Sequence, residues 1–89
     1  MFKEKFLPRF LKEVKLSKKC GKDTNKLIKV IECLKDNVPL DKKCMPHKLS
    51  GKYSEYWECH IEPDWLLIYK QEEGVLTLLR LGTYSDLFK

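Results

Sequence analysis

Long apolar runs are missing from this chain, and with them the helical membrane-spanning class. Nothing in its 89 residues approaches the roughly 20 consecutive apolar residues that a bilayer-crossing helix requires. The opening MFKEKFLPRF mixes Lys and Glu among its apolar residues. That is not the pattern of a secretory signal, so a cytosolic setting and no membrane contact are expected. Internal repeats and low-complexity segments are also absent, which excludes solenoids and leaves one domain over residues 1–89. A chain of this size buries roughly 60–65% of the surface its unfolded form exposes, enough for one modest core.

Metal-binding pairs are lacking as well. Cys44-Met-Pro-His47 and Cys59-His60 supply four ligand types suited to zinc, but no CxxC or HxxxH pair accompanies them. Neighbouring residues on a strand point to opposite faces, so Cys59 and His60 do not converge on one ion. Chemistry without metal or cofactor is therefore expected. In the cytosol, Cys20, Cys33, Cys44 and Cys59 read as reduced thiols rather than a disulfide framework.

What is present in excess is positive charge. Eighteen Lys and Arg face thirteen Asp and Glu, a net +5, with lysines dense between Lys12 and Lys22. Such a surface favours polyanions, either nucleic acid or an acidic protein, and equally describes a solvated helix face.

The periodicity predicts a short strand within Phe2–Phe6. A helix follows, opened by Pro8 and stopped at Gly21. A second helix begins after Asp23 or Thr24 and buries Leu27, Ile28, Ile31 and Leu34. Residues 38–54 lack periodicity and read as a long loop carrying His47. Tyr56–Ile61 alternates, with Trp57, Cys59 and Ile61 on one face and Glu58 and His60 on the other. Trp65–Lys70 is apolar throughout, as expected of a central strand covered on both faces. A turn at Gln71–Gly74 leads to a strand over Val75–Leu81, where Arg80 is placed on the face of Leu76 and Leu78. Ser85–Phe88 closes the chain as a turn or short helix. The expected class is α+β: two N-terminal helices packed on a mainly antiparallel sheet of about four strands.

Several side chains in this frame suit proton transfer and phosphate binding. His60 faces away from the apolar side of its strand and titrates in the useful range, unless it is a structural histidine bonded to a carbonyl. Asp64, after Pro63, either orients a histidine or accepts N–H groups of its own turn. His47 lies in the long loop beside Lys48, and Lys52 follows; both lysines are candidates for phosphate contact. Arg80 suits a phosphate gaining charge during cleavage, or an ion pair with Glu58 or Glu62. Tyr84 and Phe88 suit stacking on an RNA base, while Leu87 anchors the tail. Both tryptophans read most simply as core. Together these residues supply what cleavage by the ribose 2′-hydroxyl needs: a base, an acid, a cation and a platform for the base.

The ordered segments His47-Lys-Leu-Ser-Gly51, Glu58-Cys-His-Ile-Glu-Pro-Asp-Trp-Leu-Leu-Ile-Tyr69 and Leu79-Arg-Leu-Gly-Thr-Tyr-Ser-Asp-Leu-Phe88 resemble the YafQ branch of the RelE-type toxins of bacterial toxin–antitoxin pairs. The likeness extends more weakly through both helices. It implies a fold similar to microbial ribonucleases and a metal-free endonuclease that cuts mRNA in the ribosomal A site. It also implies a cognate antitoxin of RelB or DinJ type, with a heterotetramer among the assemblies to expect, and operator DNA reached only through that antitoxin. Family positions map to His47, His60, Asp64, Arg80 and Phe88, with Lys48, Lys52 and Trp65 counted as RNA-contacting. One position departs: after Gly-Thr the family usually has histidine, and here stands Tyr84. A phenol, ordinarily titrating near pKa ~10, is a poor base at neutral pH but a competent donor. More distant relatives use a tail tyrosine. The competing reading is a non-catalytic basic module that binds RNA or an acidic protein.

Overall fold

The computed structural model describes residues 1–88. Pro8, having no N–H to leave unpaired, starts helix α1 (Pro8–Lys19). Gly21, at φ +84°, turns the chain out of it. Asp23 caps helix α2 (Thr24–Lys35) by accepting the Asn25 N–H at 2.9 Å. Leu27, Val30, Ile31 and Leu34 are buried as a stripe, whereas Ile28, expected in that stripe, is half exposed.

Five strands form one mixed sheet in the order β1-β5-β4-β3-β2: β1 (Lys3–Phe6), β2 (His47–Lys48), β3 (Trp57–Glu62), β4 (Trp65–Glu72) and β5 (Val75–Gly82). β1 runs parallel to β5, and every other pair is antiparallel. The strand beyond the expected four is β2. Two residues inside a loop leave no alternating pattern, yet they pair with Trp57 and Glu58. Two 3-10 turns, Lys42–Cys44 and Gly51–Tyr53, occupy part of what else was read as irregular loop.

Strand β4 is buried on both sides, as its unbroken apolar run requires. Trp65, Leu67 and Tyr69 meet Cys59, Leu76, Leu78 and Leu81 beneath the helices. Leu66 and Ile68 meet Leu87 on the opposite face, with Tyr53, Tyr56, Leu79 and Phe88 around them. Trp65 donates its indole N–H to Ser17 Oγ at 3.1 Å, which satisfies its one polar atom in the core. Trp57 differs from the expectation of a core residue: 40% exposed as the first residue of β3, it is only partly covered.

The hairpin joining β4 to β5 turns at Glu73 and Gly74, at φ +51° and +77°. Two successive positive φ values give the twist that two-residue hairpins favour. Further along, Ile68 pairs with Arg80 but Tyr69 pairs with Leu78, so Leu79 is an inserted residue. This bulge corrects the placement of Arg80 with Leu76 and Leu78. Without it, Arg80 would face the helices; with it, Arg80 stands beside Ile68 on the other face.

The tail forms helix α3 (Tyr84–Phe88). Thr83 and Asp86 cap it reciprocally: Asp86 Oδ2 accepts the Thr83 N–H at 3.1 Å, and Thr83 Oγ1 accepts the Asp86 N–H at 3.2 Å. Leu87 anchors it, as expected.

Candidate active site

The sheet face away from α1 and α2 collects most of the polar side chains picked out above. Glu58, Ile68 and Arg80 stand abreast on three strands, and His60, Leu66 and Gly82 form the next row toward α3. Directly paired residues share a face, so His60 and Arg80 lie on the same side. Strand spacing puts their Cα atoms roughly 12 Å apart.

His60 Nδ1 lies 3.0 Å from the Pro63 carbonyl, and His47 Nδ1 lies 3.1 Å from the Met45 carbonyl. A carbonyl oxygen only accepts, so each Nδ1 carries the proton and each Nε2 is left for chemistry. Both Nε2 atoms turn toward Glu58 Oε1, at 3.2 Å from His47 and 3.8 Å from His60. The two rings are 6.5 Å apart. Glu58 is almost fully buried, with 4% exposure, whereas His47 is open and His60 half-buried. Sequence reasoning missed Glu58 as a functional residue and treated it only as a partner for Arg80. Its signal was visible, since it shares the strand face of His60 two residues away.

Arg80 pairs with neither Glu58 nor Glu62. Glu62 is taken by Lys22 and Lys26. The guanidinium is bound instead by Glu13 from α1, with Nη2 at 2.8 Å and Nε at 3.1 and 3.2 Å from the carboxylate oxygens. Nη2 also reaches the Asp86 carbonyl at 3.4 Å, and Nη1 donates to the Tyr53 hydroxyl at 3.3 Å. β1 pairs with β5 only as far as Leu78, so the edge beyond it is open. There Glu13 also accepts the Leu81 N–H at 3.0 Å. The bonds to Glu13 hold the guanidinium above its already high ordinary pKa against the opposing effect of burial, and Tyr53 adds to them.

Asp64 forms no hydrogen bond or ion pair with either histidine. Its Oδ1 accepts the backbone N–H of Tyr84 at 2.9 Å, which ties the β3–β4 turn to the first residue of α3. Tyr84 is 64% exposed, and its ring lies 5.1 Å from that of Phe88, which meets Tyr53 edge-on at 6.0 Å. Lys48 and Lys52 are exposed, the latter with its ammonium 5.7 Å from the Tyr53 ring centre. Trp65 is the residue to correct. At 1% exposure in the helix-side core, it offers no ring face to RNA.

All four cysteines are free thiols. Burial pushes Cys44 up and Cys59 strongly so, which leaves neither as a thiolate nucleophile. Cys59 packs among the helix-side apolar residues while His60 turns to the other face, as strand alternation requires.

A family model described as a bacterial toxin of type II toxin-antitoxin system, YafQ, matches residues 2–89. The mRNA interferase toxin YafQ of Escherichia coli K12 is 41% identical over 81 residues, which covers 90% of this chain and 88% of that protein. A copper-bound mutant toxin from Helicobacter pylori has a similar structure, with a TM-score of 0.94 and 39% identity over 99% of this chain and 100% of that one. A chain of the E. coli DinJ-YafQ complex gives a TM-score of 0.93 and 37% identity over the full length of both. Imidazole and carboxylate are donors that copper accepts. Among the described residues of this chain, however, no three such groups are arranged to hold an ion.

Proposed function

Because the chain belongs to the YafQ family of bacterial type II toxins, we propose that it is an mRNA interferase, an endoribonuclease that cuts mRNA in the ribosomal A site and stops translation. The observation that carries this reading is the pair of Nε2 atoms turned toward one buried carboxylate on an open sheet face. Two imidazoles and Glu58 give a site that can accept one proton and release another. The ribose 2′-oxygen attacks the adjacent phosphorus and passes its proton to this cluster. The new O2′–P bond forms as the P–O5′ bond breaks, and the departing 5′-oxygen takes a proton back from the cluster. The products are a 2′,3′-cyclic phosphate, open to hydrolysis to a 3′-phosphate, and a 5′-hydroxyl.

The other residues position this chemistry. Arg80 supplies fixed positive charge near the phosphate, and Lys48 and Lys52 meet the RNA backbone. Tyr84 and Phe88 form the surface against which the A-site base stacks. Asp64 acts through the tail, holding Tyr84 in place by its N–H. An antitoxin of the RelB or DinJ kind binds and silences the toxin, and the net charge of +5 suits an acidic partner. The work is done in the cytoplasm, where ribosomes are; no helix among the described residues is long and apolar enough to cross a membrane.

The test is cleavage mapping by primer extension in a translating extract, with wild type and His60→Ala. Codon-phased cuts by wild type, lost in the variant, are expected. Equal cutting by both would remove His60 from the mechanism. RNA bound but left intact by wild type would replace the enzyme with the binding module.

A further inference from the structure

The Tyr53 hydroxyl has an unusual setting for a side chain outside the catalytic cluster. Tyr53 ends the 3-10 turn Gly51–Tyr53, in the loop that carries His47. Its ring is fixed by edge contacts to Tyr56 at 6.4 Å and Phe88 at 6.0 Å. It therefore joins the His47 loop to the Phe88 tail. Its oxygen accepts from Arg80 Nη1 at 3.3 Å, and among the described residues its own proton meets no acceptor.

Arg80 itself is poorly placed to grip a phosphate with two prongs. Glu13 and the Asp86 carbonyl occupy Nε and Nη2, and only Nη1 looks toward the site, through Tyr53. A phenol that accepts a bond from a guanidinium becomes a stronger donor through its own O–H. Nucleotide seated against Tyr84 and Phe88 would have its phosphate within reach of that O–H.

We propose that Tyr53 is a further catalytic residue, whose hydroxyl, held by Arg80, donates to a non-bridging oxygen of the scissile phosphate as charge builds there. The role rests on the endonuclease reading above and deepens it: positive charge reaches the phosphate through a phenol and one guanidinium N–H rather than through a bidentate clamp.

Tyr53→Phe keeps the ring and removes only the donor. With the full-length toxin and ribosomes stalled on a defined mRNA, the single-turnover rate at saturating toxin should fall roughly 10²-fold, the usual consequence of losing one oxyanion donor. Half-saturating toxin concentration should stay within about twofold of wild type, because ground-state binding is shared by many contacts. A second readout uses mRNA with a single phosphorothioate at the cut site. Sulfur accepts hydrogen bonds weakly, so wild type should slow on one diastereomer, and Tyr53→Phe should lose most of that discrimination. An unchanged rate would overturn the proposal, as would a slowed variant that retains the wild-type response to sulfur. Failure of wild type to cut at all would instead remove the nuclease reading on which it rests.

Discussion

Removing the Glu13 carboxylate should cost this protein a large share of its stability, although Glu13 lies on a helix across the sheet from the imidazole cluster. Arg80 and Glu13 side chains are 7% and 15% exposed, so the pair is largely out of water. In Glu13→Ala the guanidinium loses three contacts and the Leu81 N–H loses its acceptor. Arginine does not escape by shedding its proton, so a buried uncompensated charge remains. Breaking one side of such a pair costs about 3–5 kcal/mol, against a total stability of roughly 5–15 kcal/mol for a small domain. At roughly 4–8 °C per kcal/mol for a chain this short, the melting temperature should drop by on the order of 20 °C. Urea unfolding of wild type, Glu13→Ala and the double variant Glu13→Leu/Arg80→Leu provides the measurement. The double variant should be the more stable of the two, since it leaves no buried charge. A cost below about 1 kcal/mol for Glu13→Ala would mean that the pair behaves as a solvated surface contact, and the reasoning from burial would be wrong.

Alkaline pH should weaken the fold before it affects any surface ion pair. Burial raises Tyr69 and Cys59 well above their unfolded values. Stability from their neutral forms is therefore complete below the ordinary ranges, about 8.5 for cysteine and 10 for tyrosine, and is lost as pH rises beyond them. Urea midpoints should fall from pH 8 to pH 11, less steeply in Tyr69→Phe; a flat profile would contradict the burial argument. Tyr84→His should raise the cleavage rate in the ribosome assay, because imidazole both accepts and donates protons near neutral pH whereas a phenol is a poor base there. An unchanged or lower rate would show that Tyr84 does not weaken the site.

Much of the architecture was legible because two periods carry it. The stripe of α2 and the alternation of β3 place Leu27, Ile31, Cys59 and His60 on the sides where they are found. The Pro63-Asp64 break marks the β3–β4 turn. What stayed hidden depends on contacts between distant segments. Nothing local to Glu13 indicates that it will cap the open edge of β5 and bind Arg80, 67 residues away. Nothing around Asp64 says that its acceptor role is toward Tyr84 rather than its own turn or a histidine. Trp57 and Trp65 look alike in sequence, and only strand order decides that one is central and the other partly bare.

The bulge at Leu79 is the least legible feature, and the site depends on it most. In Leu76-Thr-Leu-Leu-Arg-Leu-Gly82, strict alternation sends Arg80 under the helices with Leu76 and Leu78, where a guanidinium would sit among apolar side chains. One extra residue exchanges the two fates: Leu81 enters the helix-side core, and Arg80 turns to the face of Glu58 and His60. The inserted Leu79 packs with Leu66, Ile68 and Leu87, so the distortion is held by apolar contact on the active face itself. A strand that flips its own register at this point puts a cation, bound to a carboxylate from α1 and to the Tyr53 hydroxyl, on the same sheet face as His60. No single segment could arrange that alone. Deleting Leu79 restores plain alternation with Arg80 still on the active face. Primer extension should therefore show cleavage retained, while urea unfolding shows the stability lost with the contacts to Leu66, Ile68 and Leu87. Loss of cleavage in a folded variant would mean that the bulge itself, and not the face it gives Arg80, is what the site needs.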